Sequence, residues 1–116
     1  MAITVKKADE VAPADLGPQE DMCGVELLPL ITERDGAERF SMRLLRVAPG
    51  GYTPLHVHPW EHEVFVLQGA GEVVGEAGEA PLLPGTVVYV TPGEQHRFRA
   101  GPEGLEFLCC IPHRDV

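Results

Sequence analysis

A chain of 116 residues has room for one domain, and with 44% apolar residues it can bury a packed core. Thirteen glycines and eleven prolines force frequent turns and exclude a coiled coil, a long-helix bundle or a collagen repeat. The formal charge is −9, and no basic run exceeds Lys6-Lys7, so no face suited to nucleic acid or to an anionic membrane surface is expected.

The first residues, Met1 to Lys7, lack the apolar stretch of a signal peptide, and no apolar run approaches the roughly 20 residues that cross a bilayer. The three cysteines, Cys23, Cys109 and Cys110, are odd in number and two are adjacent. This usage predicts a reducing, cytoplasmic setting.

Residues 1–24, rich in Asp, Glu, Pro and Gly, read as an N-terminal arm carrying a short edge strand near Ile3 to Val5. Residues 25–116 read as the main, strand-rich domain. Strands are expected from Val25 to Ile31 and from Phe40 to Val47, joined through Asp35-Gly36, a hairpin signal. Pro49-Gly50-Gly51 breaks the chain, Tyr52 to His58 is extended, and Pro59-Trp60-Glu61 makes a bend. A strand follows from His62 to Leu67, then a kink or bulge at Gly69-Ala70-Gly71. Glu72 to Gly75 and Ala80 to Leu83 flank a tight turn. Thr86 to Val90, Gln95 to Arg99 and Leu105 to Ile111 complete eight to ten short strands. No helix of three turns is expected, so the fold class is all-β, a sandwich or barrel.

Four of the five histidines fall in two settings, His56-Val57-His58-Pro59-Trp60-Glu61-His62-Glu63 and Pro92-Gly93-Glu94-Gln95-His96. His56 and His58, one residue apart, point to one face of an extended segment and form half of a metal site. His62 shares a face with Val64 and Val66. His96 shares one with Phe98 and Ala100, while Arg97 and Arg99 take the other, which puts His96 on the inner side.

Gly50 to Gly69 resembles the first motif of the cupin superfamily: a glycine, five residues, His-x-His, an acidic slot and a closing glycine. Here His62 stands in the slot usually held by Glu. Gly85 to Ala100 resembles the second motif through Gly85, Gly93 and His96, with Thr91 in the Pro slot and Ala100 replacing the terminal Asn. The stretch His56 to Leu67 and the tail Glu106 to Pro112 are further similar to small single-domain manganese cupins whose metal is held by four histidines. The resemblance implies a double-stranded β-helix (jelly-roll) barrel and one divalent metal per chain on His56, His58, His62 and His96. It also implies a homodimer with exchanged N-terminal strands and, in some members, oxidative cleavage of carbon–carbon bonds.

Four neutral imidazoles leave the ion its full +2 charge and, if it is six-coordinate, two open positions. Mn or Fe is favoured by the resemblance; Zn, Ni or Cu fit the donor set as well. Phe98, Phe107 and Cys109 are candidate pocket residues, with Cys109 open between an inert core thiol and a pocket wall. Glu61 could orient an imidazole N–H or simply be exposed, and Glu63 reads as a solvated residue or a partner behind the ligands. Trp60 reads as a packing or dimer anchor, and His113 as a surface histidine. The face of Phe40, Met42 and Leu44 is expected to be barrel core. Arg46, on the same parity, is expected at the barrel mouth facing an acidic substrate, or on the surface.

The functional expectation is a metal-dependent oxygenase-type oxidoreductase acting on a small organic substrate. The alternatives are a non-redox isomerase, cyclase or lyase, or a non-catalytic small-molecule-binding cupin. No catalytic acid or base is evident.

Overall fold

Alternating apolar residues and glycine-directed bends produce one continuous antiparallel sheet in the computed structural model, which describes residues 2–113. Its strands are β1 (Cys23–Ile31), β2 (Phe40–Tyr52), β3 (His62–Gly75), β4 (Gly78–Leu82), β5 (Val87–Val90) and β6 (Arg97–Pro112). They pair in the order β1-β2-β6-β3-β4, with β5 on β3. Side chains from β2 to β6 converge on one core that includes Leu45, Val47, Val64, Val66, Leu82, Val90, Phe98 and Phe107. The all-β jelly-roll barrel expected from the sequence is the architecture observed. No helix among the described residues is long and apolar enough to cross a membrane.

Six strands appear among the described residues rather than eight to ten, because the glycine breaks lie inside strands. In β3 the register with β6 shifts between Gly69 and Gly71 while the strand continues. Gly69 has φ +80°, and a Cβ there would sit 2.1 Å from the Gly104 carbonyl oxygen. A Cβ on Gly71 would sit 2.0 Å from that of Arg99. The missing side chains let the two long strands bend against each other.

The Asp35-Gly36 signal marks a loop and not a two-residue hairpin turn. Glu33–Asp35 form a 3-10 turn in which the Thr32 hydroxyl accepts from the Arg34 N–H, the Asp35 carboxylate accepts from the Thr32 N–H, and Gly36 closes at φ 90°.

The arm differs from expectation at its start. Ile3 and Val5 form no strand and are 69% and 85% exposed, unpaired with any sheet edge among the described residues. The arm is held further along instead. Lys6 pairs with Asp35 at 2.7 Å, and the Ala14 N–H donates to the Leu27 carbonyl at 2.8 Å. Asp21 takes an ion pair from Arg97 and an N–H from Leu55 at 3.1 Å. His113 is also placed differently: it is buried and bonds the Ser41 hydroxyl at 2.8 Å, because its N–H pairs with the Arg39 carbonyl and turns the ring inward.

Candidate metal centre

His56 and His58 lie in the irregular segment between β2 and β3, and His96 lies just before β6. Two backbone bonds weld these segments together: His56 N–H to the His96 carbonyl at 3.1 Å, and His96 N–H to the His56 carbonyl at 3.0 Å. The Gly93 N–H adds a third bond, to the His58 carbonyl at 2.9 Å. Residues about 40 apart in the chain are thereby held side by side.

Each of these rings is then oriented by a main-chain oxygen. The Nδ1–H of His56 donates to Pro54 at 2.8 Å, that of His58 to Trp60 at 3.1 Å, and that of His96 to Glu94 at 2.8 Å. A carbonyl can only accept, so Nδ1 carries the proton and Nε2 keeps the lone pair. One ligand atom from each of His56, His58 and His96 falls within 4.8 Å of the others, a group able to hold a metal ion. His62, the first residue of β3 and buried, joins this cluster. Its ring centroid is 4.4 Å from that of His58 and 5.2 Å from that of His96, and its Nε2 is 2.7 Å from Nε2 of His58.

Burial favours the neutral form of His62, His56 and His58. It pushes the His62 pKa down to about 3, assisted by the neighbouring His58 ring and the Arg43 charge. It also lowers His56 and His58, against the raising effect of their carbonyl partners. The Nε2 of His96 is buried and has no hydrogen-bond partner. Such an orphan is costly in a folded interior, and it disappears when a cation takes the lone pair. The donor set and this unpaired nitrogen therefore fit a divalent ion.

Trp60 stacks on His58 with ring centroids 4.3 Å apart and planes 5° from parallel, so it braces that ring. The Cys109 sulfur lies 3.0 Å from Nδ1 of His62 and accepts from Nη2 of Arg43 at 3.3 Å; burial pushes the thiol pKa up. The cluster opens into a cavity of about 440 Å³, walled by Leu27, Leu45, Phe98, Phe107 and Ile111 and by Leu16 and Met22 of the arm. That size accommodates a small organic molecule.

Four residues singled out in the sequence stand elsewhere. Glu61 accepts from the Tyr89 hydroxyl at 2.5 Å and orients no imidazole, because backbone carbonyls and Cys109 occupy the Nδ1 positions. Glu63 is exposed, one step out of phase with buried His62 and Val64. Met42 and Arg46 lie on the outer face of β2, where Arg46 bridges Glu26 at 3.2 Å and Glu106 at 3.0 Å. The inner phase is Arg43, Leu45 and Val47. Parity failed on β2 because its outer face is apolar too: Leu44, paired in register with Leu28 and Leu108, is 4% exposed. Arg43, which no sequence motif marks, lines the cavity in the place expected for Arg46.

The cupin domain family matches residues 43–111. Among solved structures, the polyketide cyclase RemF of Streptomyces resistomycificus is 30% identical with a TM-score of 0.86, over 95% of this chain and 79% of that one. A predicted oxalate decarboxylase of Thermotoga maritima is 26% identical with a TM-score of 0.80, over 94% and 98% respectively. An (R)-mandelonitrile lyase of Granulicella tundricola is 38% identical over 55 residues, 47% of this chain, and the chain spans only 42% of that relative's length. The matched segment is more than half of the sequence and carries all four clustered histidines, so the chain belongs to the cupin family.

Proposed function

We propose that this chain is a divalent-metal enzyme acting on a small organic substrate, with one ion held by His56, His58, His62 and His96. The observation that carries the reading is the buried, unpartnered Nε2 of His96, surrounded by three further rings and facing an apolar cavity. Mn or Fe is the preferred ion on the resemblance to four-histidine cupins. When bound, the ion supplies a +2 charge that polarises a carbonyl or stabilises an enolate oxygen and, if redox-active, gives access to oxygen chemistry.

The protein's own part is to bind, orient and exclude water. Carbonyls of Pro54, Trp60 and Glu94 fix the imidazole tautomers, so donor atoms need no reorganisation. Phe98, Phe107 and Leu45 shield the reacting end of a substrate from solvent.

Non-oxidative chemistry, that of a cyclase or lyase, is the reading we carry first. Its support is the likeness to a polyketide cyclase along nearly the whole chain and to a mandelonitrile lyase over 55 residues. The second reading is a Mn- or Fe-dependent oxygenase that cleaves C–C or C=C bonds. It draws on the four-histidine resemblance and on the largely apolar walls of the cavity.

Elemental mass spectrometry of untagged protein tests the metal first: about one ion per chain is expected, and none in His58→Ala. Equal metal content in the two proteins would overturn the ligand assignment. Zn- and Mn-loaded protein are then offered mandelonitrile, aryl alkenes and diketones with and without oxygen. Turnover retained with Zn and without oxygen supports the first reading, and oxygen uptake that requires Mn or Fe supports the second. Saturable binding with no conversion in any state would point to a binding module instead.

A further inference from the structure

Among the described residues lining the cavity, Arg43 carries the only fixed charge. Its position follows from the phase of β2, where Arg43, Leu45 and Val47 face inward while Arg46 faces out. Arg46, Arg97 and Arg99 each pair with carboxylates. Arg43 has no carboxylate within ion-pair distance among the described residues. Its one hydrogen bond goes to the Cys109 sulfur, a weak acceptor, and its Nε is buried with no partner at all. A guanidinium left half-satisfied in an apolar wall is expensive, and the planar donor fork matches a carboxylate.

We propose that Arg43 anchors the carboxylate of the substrate, so that the cavity takes small organic acids with an apolar body. The proposal deepens the reading of the cavity as a substrate site and rests on it. Arg43 and His62 contact the same sulfur, at 3.3 and 3.0 Å, so an anion on the guanidinium lies beside the histidine cluster. Leu45, Phe98 and Phe107 receive the rest of the molecule. The same geometry disfavours sugars and other neutral polyols, for which the walls offer few hydrogen-bonding groups.

Titration calorimetry with benzoate and its neutral isostere benzamide tests this, on metal-free and on Mn-loaded protein. Benzoate is expected to bind at least about tenfold tighter than benzamide in both states, the order of one charge-assisted hydrogen-bond pair. Arg43→Gln should abolish that preference while metal content stays at about one per chain, and Arg43→Lys should keep part of it. Equal binding of the two probes, no saturable binding of benzoate, or a preference that survives in Arg43→Gln would overturn the proposal. Should Arg43→Gln not fold, the wild-type comparison and Arg43→Lys still decide it. A wild-type protein that takes no metal would sink the metal-enzyme reading, while the metal-free arm would still report on Arg43.

Discussion

At the scale of single residues, the site depends on which nitrogen of each histidine keeps its lone pair. Three rings are fixed by main-chain carbonyls, whereas His62 is fixed by a side chain, the sulfur of Cys109. Truncating that side chain frees the His62 ring without touching the other three. Cys109→Ala is therefore expected to weaken metal binding roughly 10- to 100-fold, the usual cost of losing a group that orients a ligand. Competition against a chelator measures it, and unchanged affinity would show that packing alone holds the ring. Glu61→Gln serves as the control, with unchanged affinity expected because Glu61 bonds Tyr89. The histidines were legible in the sequence because their spacing is local. Arg43 was not, because two apolar faces on β2 leave alternation with no sign to choose between Arg43 and Arg46.

At the scale of elements, close backbone approach and long-range clips decide how the strands and the arm sit. Gly69 combines a left-handed φ with a contact that no side chain could share. Gly69→Ala is expected to cost at least about 3 kcal/mol, since left-handed strain alone costs about 1–3 kcal/mol and the clash with Gly104 adds to it. Urea unfolding measures this, and a loss near zero would mean that β3 and β6 can separate freely at the bulge. The arm offers a pH-dependent test. The Arg97 guanidinium, with the Leu55 N–H, holds the Asp21 carboxyl below its ordinary 3.8. A depressed folded pKa contributes stability that is fully present above 3.8 and lost as pH falls through the lower folded value. Amides of the arm near Asp21 should thus be protected from hydrogen exchange above 3.8 in the native chain and less so in Asp21→Asn. The two should converge in strong acid; identical protection above 3.8 would remove the clip from the account. The bulge was legible as Gly69-Ala70-Gly71. Its continuation as one strand was not, since that depends on a partner about 35 residues away.

For the whole molecule, what remains uncovered is informative. Ile3 and Val5 of the arm, and Phe40, Phe65, Val87 and Tyr89 on the barrel's outer face, are large apolar side chains left in solvent. We propose a homodimer that covers one of these surfaces, and sedimentation equilibrium at micromolar concentration should show it. Removal of residues 1–7 should yield monomer if the arm is exchanged, and Phe65→Asp should do so if the sheet face is the contact. A wild-type monomer would refute both.

Local pattern sufficed for the all-β class and the histidine spacing, and the motif resemblance for the barrel, because each is written within short stretches of the chain. Alternation of side chains and the turn chemistry of glycine act over that range. Tertiary structure alone decided which face of β2 is inward, which groups hold the imidazoles, and what lines the cavity. Arg43 meets Cys109 across 66 residues, His62 meets it across 47, and Asp21 meets Arg97 across 76. Contacts of that span arise only when the sheet closes on its core, and no local pattern encodes which partner waits there.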